Sequence, residues 1–291
     1  CTLGGADDGL FTCTVTETAY TLAFTNSPDY DSGNACADGN TCAVTVTIND
    51  GANAGDTVAY SITLADANDN TPTYSATSAS PTVTEGDTAV DSVTITDADT
   101  DAIDDNTCTL GGADDGLFTC TVTETAYTLA FTSSPDYDSG NACAAGNTCA
   151  VTVTINDGTN TGGTVAYSIT VGDANDQTPA VTVAETYTTA EATTAFQAFT
   201  MVDSDTTGTY DCTLSGDDAG KFSKSVTGKV CTVTWNSAQD YEAAANDHDS
   251  DGTYDLSIAF TDGTNPLGAQ STSITLSDVN DITPTYSATS A

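Results

Sequence analysis

The residues of this chain best suited to chemistry are carboxylates and amides that recur in one short motif. The sequence DANDNTP occupies residues 66–72, and DANDQTP (173–179) and DVNDITP (278–284) follow the same pattern. Each copy places two aspartates around an asparagine and ends in a proline. Two carboxylates about 5 Å apart repel each other by roughly 3 kcal/mol at an effective dielectric constant near 20. Several such groups gathered in one place therefore need a cation among them.

The charge balance of the whole chain leads to the same expectation. There are 42 acidic residues and 3 basic ones, which gives a formal net charge of −39. The basic residues are Lys221, Lys224 and Lys229, so residues 1–220 contain no Lys or Arg. Such a chain repels itself and cannot use phosphate contacts to bind nucleic acid. We expect a cation from outside the chain to balance the charge.

The donor types in the motif indicate which cation this is. Ca²⁺ takes six to eight oxygen ligands from carboxylates, amides and carbonyls in a flexible geometry. The sequence Asp-x-Asn-Asp offers that mixture on one short extended segment, and the proline starts the next domain without a flexible linker. The motif therefore favours calcium as the cation.

The segments between these motifs have the periodicity of β-strands. Apolar residues alternate with polar or small ones in CAVTVTIND (42–50), TVAYSITLAD (57–66), SVTITDAD (92–99) and DLSIAFTDG (255–263). Period-two alternation rich in Val, Ile, Thr and Tyr, interrupted by Gly, Asn and Asp, is typical of half-buried antiparallel strands. About seven short strands in roughly 105 residues predict an all-β chain of immunoglobulin-like Greek-key β-sandwiches.

Internal repeats set the domain limits. Cys1, Cys13, Cys36 and Cys42 recur 107 residues later, and the window CTLGGADDGLFTCTVTETAYTLAF is identical in the two copies. This repeat is too long for a solenoid unit and has the size of a domain. We predict domains at residues 1–70, 71–177 and 178–282, with the first lacking its opening strands, and the start of a following domain at 283–291.

The ten cysteines fall into five local pairs. These pairs are Cys1–Cys13, Cys36–Cys42, Cys108–Cys120, Cys143–Cys149 and Cys212–Cys231. Tetrahedral zinc is the competing interpretation, but it needs CxxC-type knuckles, which are absent, and the chain has one His. Disulfides are favoured, and they imply an oxidising, extracytoplasmic setting.

The motifs, taken in order, resemble those of the cadherin family. DANDNTP resembles the DxNDNxP signature that joins successive cadherin repeats. VTEGD supplies a Glu near the start of the second domain, PDYD (28–31, 135–138) and QDYE (239–242) resemble the acidic DRE-type motif, and TDAD (96–99) and VDSD (202–205) resemble the DxD motif. INDG (155–158) and FTDG (260–263) resemble the acidic step that closes a later strand. The resemblance, to cadherin-like surface and filament proteins of bacterial or archaeal type, covers essentially the whole chain.

The resemblance implies several calcium ions at each domain junction, held by three sets of ligands. The first is Asp29, Asp31, Asp66, Asn68, Asp69, Asn70, Asp97, Asp99 and Asp157. The second is Glu85, Asp136, Asp138, Asp173, Asn175, Asp176, Asp203, Asp205 and Asp262. The third, which a following domain would complete, is Glu191, Asp240, Glu242, Asp278, Asn280 and Asp281. The chain departs from the family pattern at Asp31 and Asp138, where a Glu is usual, and at Gln177 and Ile282, where the final Asn is usual.

A further acidic loop, DHDSDGTYD (247–255), is a separate calcium candidate. Asp247, Asp249, Asp251 and Asp255 match a DxDxDG calcium loop, with Gly252 where the chain must turn sharply. The bidentate Glu expected at the twelfth position is Ile258, so the loop is not a full EF-hand. An ordinary polar turn is the alternative. His248 is expected to face solvent.

An enzyme is not expected. Residues 1–220 contain no Lys, Arg or His, which removes the usual catalytic bases and oxyanion-stabilising cations. Two classes of protein remain. One is an extracellular structural and adhesive rod stiffened by calcium, whose partners are further domains of the same chain or copies of itself. The other is an adhesin module that binds a surface glycan or a protein partner.

The two ends of the sequence are related to its interior. Residues 283–291, TPTYSATSA, are identical to residues 71–79, and Cys1 corresponds to Cys108. Residues 80–107 therefore have no counterpart in the first repeat. We expect the first domain to be completed by preceding sequence, in the same polypeptide or from a neighbouring subunit of a head-to-tail filament.

Overall fold

A computed structural model describes residues 1–75, 78–99, 107–123, 125–243 and 252–286 of the 291-residue chain. The prediction of an all-β chain is confirmed: within these ranges the regular elements are strands and one-turn 3₁₀ helices. The strands form two compact units. Unit 1 comprises residues 1–83, 87–135 and 141–171, and unit 2 comprises residues 84–86, 136–140 and 172–291.

Unit 1 holds the first fourteen described strands, apart from the end residues Thr84 and Gly172. They are β1 (Thr2–Gly4), β2 (Phe11–Val15), β3 (Tyr20–Phe24), β4 (Thr41–Asn49), β5 (Ala54–Thr63), β6 (Thr73–Tyr74), β7 (Ser78–Ala79), β8 (Thr82–Thr84), β9 (Ala89–Thr96), β10 (Thr107–Gly111), β11 (Phe118–Val122), β12 (Ala126–Phe131), β13 (Thr148–Asn156) and β14 (Thr161–Gly172). One-turn helices precede β2 and β11, at Asp8–Leu10 and Asp115–Leu117.

The strands of unit 1 form two pairs of sheets. The first pair is β1-β4-β5 and β2-β3. The second pair is β10-β13-β14-β7, to which β8 adds by pairing with β14, and β11-β12-β9-β6. Alternate side chains of β13 and β14 point inward, so that Val151, Val153, Val165 and Ile169 are almost fully buried.

Unit 2 contains one pair of sheets, built from β15 (Thr186–Ala190), β16 (Ala195–Thr200), β17 (Asp211–Ser215), β18 (Phe222–Thr227), β19 (Val230–Trp235), β20 (Tyr254–Thr261) and β21 (Pro266–Ser277). A one-turn helix, Ala219–Lys221, precedes β18. The sheets have the orders β15-β21-β20-β17 and β16-β19-β18. Their inner faces enclose a core in which Trp235 stacks on Phe222 at 4.1 Å and meets Tyr254 edge-on at 4.9 Å. Period-two sequences thus give β-sandwiches in both units.

The five predicted disulfides are confirmed, and no cysteine is free. Cys108–Cys120 and Cys212–Cys231 each join strands of opposite sheets. Cys36–Cys42 and Cys143–Cys149 close short loops before β4 and β13. Cys231 is fully buried, whereas Cys13 is half-buried.

Among the described residues, no helix has the length and apolar character needed to cross a bilayer.

Candidate metal centres

The predicted ligands lie where strands end. The three DxND motifs follow β5, β14 and β21, the longest strands of their sheets. Asp97 follows β9, Asp157 follows β13 and Asp262 follows β20. Where the backbone leaves a sheet, its carbonyl groups are no longer all paired with a neighbouring strand. These carbonyls and the side-chain carboxylates beside them can therefore come together in one site.

Cluster 1 lies in unit 1 and consists of Asp31, Asp66, Asn68, Asp69, Asn70, Asp97, Asp99 and Asp157. Carboxylate oxygens of Asp31, Asp69 and Asp99 lie within 4.8 Å of one another, and so do those of Asp97, Asp99 and Asp157. Asp99 belongs to both groups and is 1% exposed. This arrangement is expected of a site that holds more than one cation.

Two asparagines connect the acidic segments of cluster 1. The Asn70 side-chain amide donates to Asp31 at 2.7 Å and to Asp99 at 2.8 Å, and its backbone N–H donates to Asp99 at 2.8 Å. The Asn68 amide donates to the backbone carbonyl of Asp157 at 3.1 Å. The motif thus binds to segments that are far away in the sequence.

Burial and mutual repulsion weaken the acids of cluster 1. Burial, followed by repulsion from Asp66, raises the pKa of Asp31. Burial, followed by repulsion from Asp99 and Asp157, raises the pKa of Asp97. Both effects disfavour the charged carboxylate, and a bound cation would oppose them.

Cluster 2 lies in unit 2 and consists of Glu85, Asp138, Asp173, Asn175, Asp176, Asp203, Asp205 and Asp262. Carboxylate oxygens of Asp138, Asp173 and Asp205 lie within 4.8 Å of one another, as do those of Glu85, Asp138 and Asp176. Burial, followed by the charges of Asp205 and Glu85, raises the pKa of Asp138 to about 6. Burial and the neighbouring Asp203 raise the pKa of Asp205, which is 0% exposed.

Glu85 fixes the two main segments of cluster 2 against each other. It is buried, and its carboxylate accepts the backbone N–H of Tyr137 at 2.7 Å and that of Ala174 at 2.7 Å. The first N–H belongs to the PDYD segment and the second to the DANDQTP segment. One carboxylate therefore sets the spacing between both groups of ligands.

The oxygen ligands of cluster 2 fit a hard cation. Five buried oxygens on four carboxylates have no hydrogen-bond donor among the described residues: both oxygens of Asp138 and one each of Asp173, Asp203 and Asp205. Buried polar atoms are normally satisfied. Oxygens that face one another, with no N–H between them, are the arrangement that Ca²⁺ would satisfy.

The Asn175 amide lies among the carboxylates of cluster 2. Its side-chain oxygen accepts the Asn265 amide at 3.0 Å. The same oxygen lies 3.0 Å from Asp205 and 2.7 Å from Asp262, and rotation of the amide would turn its NH₂ group toward both carboxylates. The oxygen can face these carboxylates if a cation lies between them, and the NH₂ group can face them if none does. Both orientations place Asn175 as a ligand or a donor at the centre of the cluster.

Cluster 3, also in unit 2, repeats part of this design with Glu191, Glu242 and Asp278, whose carboxylate oxygens lie within 4.8 Å of one another. Glu191 is 3% exposed and accepts the N–H groups of Tyr241 at 2.5 Å and Val279 at 2.6 Å, as Glu85 does for its own segments. Burial, then repulsion from Glu191, Asp278 and Asp281, raises the pKa of Glu242.

Some predicted ligands have other contacts. Asp29, Asp136 and Asp240 accept N–H groups of their own loops, from Ser32, Ser139 and Glu242. Asp255 lies in β20 and accepts the hydroxyl of Ser273 at 2.6 Å. Asp247, Asp249 and Asp251 lie outside the described residues. Asn280 and Asp281 follow β21 in irregular backbone.

Two structural roles were not anticipated from the sequence. Asp7, Asp114 and Asp218 are each 4% exposed and bind backbone N–H groups of neighbouring segments. Their signal in the sequence is the repeated acidic pair in GGADDG and SGDDAG. Lys229 donates to the backbone carbonyls of Asp203 at 2.9 Å and Asp205 at 3.1 Å, and lies 5.0 Å above the Tyr210 ring. It supplies positive charge beside cluster 2.

Comparison with known proteins identifies the fold. No protein-family model matches the sequence, and no match was found among curated proteins. The structure is similar to protocadherin gamma B2 extracellular cadherin domains 1–5, with 20% identity, a TM-score of 0.61, and coverage of 96% of this chain and 52% of that one. The protocadherin gamma B4 extracellular domain gives 19% identity, a TM-score of 0.64, and coverage of 96% and 43%.

A shorter solved chain matches over most of its own length. Protocadherin gamma C5 EC1–3 has 16% identity and a TM-score of 0.59, and the match covers 94% of this chain and 88% of that one. This chain spans about half the length of the gamma B2 structure. At these identities the likeness concerns the fold. In its fold, the chain is a cadherin-like tandem-repeat protein built of β-sandwiches.

Proposed function

We propose that this chain is part of a calcium-stiffened extracellular rod with a structural and adhesive role. The observation that carries the proposal is the set of donor-free buried carboxylate oxygens in cluster 2, on Asp138, Asp173, Asp203 and Asp205. In cluster 1, Asp97 and Asp157 each have one such oxygen. Native interiors do not bury such atoms without a compensating charge.

Calcium suits these clusters better than other common divalent ions. The ligands are carboxylate, amide and carbonyl oxygens, whereas zinc and copper sites are typically built from thiolate and imidazole ligands. Mg²⁺ demands a near-ideal octahedron and keeps several of its waters, whereas Ca²⁺ accepts many protein oxygens in irregular positions. Clusters 1 and 2 offer shared carboxylates such as Asp99 and Asp138, which belong to two groups each.

The mechanical effect follows from where the ligands lie in the sequence. In cluster 1, Asp31, Asp69, Asp99 and Asp157 come from four separate segments. These carboxylates fall into two groups that share Asp99. Ions bound to both groups would hold all four segments together, and their removal would leave like charges in contact. We therefore infer that calcium keeps successive sandwiches in a fixed relation and that its loss lets them move.

An extracellular location is supported by the chemistry of the chain. Five disulfides are stable in an oxidising compartment. Calcium sites of extracellular modules typically have dissociation constants up to the millimolar range, which suits the calcium concentration outside cells. The rod is favoured over a glycan-binding or partner-binding module because the acidic clusters recur with the repeats, as expected of a spacer.

The test combines binding and shape. Calcium titration by calorimetry is compared for the wild type, for Asp205→Asn, which removes a buried ligand charge, and for Asp56→Asn, an exposed acid of β5 with the same change in net charge. We expect Asp205→Asn to lose cluster 2 binding and Asp56→Asn to retain it.

Small-angle scattering then measures the maximum dimension with calcium and with chelator. A more flexible particle with chelator, with the sandwiches still folded by circular dichroism, is the expected result. Identical scattering curves in both conditions, or equal calcium binding by all three proteins, would rule the proposal out.

A further inference from the structure

Lys229 brings a positive charge to cluster 2 in a chain that has three basic residues. Its Nζ atom donates to the backbone carbonyls of Asp203 at 2.9 Å and Asp205 at 3.1 Å. These two residues are the acidic positions of VDSD, and each has one buried carboxylate oxygen without a donor among the described residues. The amine therefore binds the main chain of the ligand segment and does not occupy those carboxylate oxygens.

The backbone holds the lysine in this position. Lys229 lies in the two-residue turn between β18 and β19, after Gly228, whose φ of +55° is in the left-handed region that glycine favours. The Lys229 carbonyl accepts the N–H of Met201 at 2.7 Å, two residues before Asp203. The residue is therefore attached to the ligand segment by both its main chain and its side chain.

Tyr210 provides a further contact for the amine. Its ring centroid lies 5.0 Å from the Nζ atom of Lys229, within the range of a cation–π contact. The Tyr210 hydroxyl donates to the backbone carbonyl of Asp205 at 3.4 Å. The amine thus contacts both the start and the end of residues 203–210.

Residues 203–210 also make contacts that shape the rest of cluster 2. The N–H of Thr206 donates to the Asp173 carboxylate at 2.6 Å. The N–H of Thr209 donates to the backbone carbonyl of Asp262 at 2.5 Å. A group that holds this segment therefore also positions the segments that carry Asp173 and Asp262.

The hairpin beside cluster 1 makes the same backbone contact without the lysine. The N–H of Ile95, two residues before Asp97, donates to the Thr125 carbonyl at 2.8 Å. The N–H of Met201 makes the same contact with Lys229, so Thr125 is its counterpart. The Thr125 side chain is neutral and exposed, and unit 1 contains no Lys or Arg. The two clusters thus share ligand types but differ in the presence of this cation.

We propose that Lys229 is a positioning residue that acts as a tethered cation: it holds residues 203–210 in the arrangement of cluster 2 without calcium, and its charge opposes calcium binding there. The first effect follows from the contacts of the amine, which need no metal. The second follows because a fixed positive charge and a divalent cation repel each other. The second effect rests on the proposed calcium site, whereas the first does not.

The direction of the change in calcium affinity separates this role from a merely structural one. If Lys229 only packed against the segment, its loss would loosen the ligands and leave calcium binding unchanged or weaker. If Lys229 is a tethered cation, its loss removes a repulsion from the calcium-bound state. Calcium then binds more tightly, even though the metal-free segment is held less firmly.

The first test measures hydrogen exchange in chelator. The wild type is compared with Lys229→Met, which keeps an unbranched side chain and removes the charge. The control is Lys224→Met, which changes the net charge equally but removes a partner of Asp211, an exposed acid outside the clusters. We expect the Thr206 and Thr209 amides to exchange about tenfold or more faster in Lys229→Met and at the wild-type rate in Lys224→Met. Unchanged exchange in Lys229→Met would overturn the positioning role.

The second test is a calcium titration followed by NMR. The backbone amides of Gln177 and Thr206 report on cluster 2, and the side-chain amide of Asn70 reports on cluster 1. In Lys229→Met we expect calcium to bind cluster 2 about fivefold or more tightly than in the wild type, with cluster 1 unchanged. Equal or weaker binding at cluster 2 would overturn the tethered cation.

Lys229→Arg separates the charge of the side chain from its shape. This variant keeps the positive charge, so we expect it to bind calcium no more tightly than the wild type. Tighter binding by both Lys229→Met and Lys229→Arg would show that the charge is not the cause and would overturn the tethered cation.

A failure of the calcium proposal is visible separately. If calcium shifts no amide of either cluster in any of these proteins, the proposed calcium site is wrong, and the exchange rates in chelator still decide whether Lys229 holds the segment. If calcium binds the wild type and Lys229→Met equally, with equal exchange in chelator, the role of Lys229 is refuted and the calcium site stands.

Discussion

At the scale of single residues, Asp138 shows the effect of bringing several carboxylates close together. Its side chain faces Asp205, Glu85 and Asp173, and burial together with these charges raises its pKa to about 6. At the proposed calcium site, protons and calcium would compete for the same oxygens. Protonation relieves the repulsion among these carboxylates, in addition to the positive charge that Lys229 supplies beside Asp203 and Asp205.

This competition predicts a pH dependence for the metal-free protein. The folded-state pKa of Asp138 lies above the ordinary value of 3.8, so between about pH 4 and pH 6 the folded state binds more protons than the unfolded state. The free energy of unfolding in chelator should therefore rise as the pH falls through this window. Urea unfolding of the wild type and Asp138→Asn measures it, and the variant should show a flatter slope. Parallel curves would contradict the assignment.

Asp114 stabilises the fold in a different way, by binding backbone N–H groups. Its two carboxylate oxygens accept the backbone N–H groups of Ala144, within the Cys143–Cys149 loop, and of Ala150, just after it, both at 2.7 Å. Asp114→Ala leaves two partly buried N–H groups without this acceptor, and we expect a loss of about 2 kcal/mol in the free energy of unfolding. The neighbouring exposed Asp115→Ala is the matched control, measured by urea denaturation. Equal losses for the two variants would show that the buried contacts are not the cause.

At the scale of elements, the long strands were predictable because their side chains alternate. The windows 42–50, 57–66, 92–99 and 255–263 coincide with most of β4, β5, β9 and β20. The two- and three-residue strands β6, β7 and β8 have too few side chains to show a period, and their place depends on partners distant in sequence. β7 pairs in parallel with β14, and β15 pairs in parallel with β21. No local pattern in the sequence indicates these parallel pairings.

The acidic clusters, like the strands, were predictable from the sequence only in part. The motifs indicate carboxylates at strand ends, and the structure brings Asp31, Asp69 and Asp99 together. Local sequence could not separate these acids from Asp29, which binds its own loop, or from Asp114, which is buried for structural reasons. That distinction depends on where each side chain points after folding.

The disulfides allow a prediction at this scale. Cys212–Cys231 joins opposite sheets across 19 residues of sequence, whereas Cys143–Cys149 closes a loop with a separation of 6. In the chain-entropy model the longer loop contributes about 3 kcal/mol and the shorter about 2 kcal/mol. Paired Cys→Ala substitution at 212 and 231 should therefore lower the free energy of unfolding more than substitution at 143 and 149. Urea denaturation of both variants checks the order, and a reversed order would contradict the model.

At the scale of the whole molecule, the net charge of −39 destabilises the compact state through repulsion between charges all over the surface. The acidic clusters add a second contribution, which is repulsion between buried carboxylates at a few points. The two contributions respond to different ions. Ordinary salt screens exposed charges over a Debye length of about 8–10 Å but reaches buried pairs less. A bound divalent cation acts on the buried groups directly.

Thermal unfolding should separate these contributions. We expect the unfolding temperature to rise with calcium at concentrations where NaCl or MgCl₂ of equal ionic strength has a smaller effect, since a ligand that binds only the folded state stabilises it in proportion to RT ln(1 + [L]/Kd). Asp205→Asn should remove much of the calcium-specific rise and keep the salt-dependent part, whereas Asp56→Asn should keep both. If equal ionic strengths of all three salts gave equal shifts, the acidic clusters would act only as diffuse charge, and a specific calcium site would be excluded as the source of stiffness.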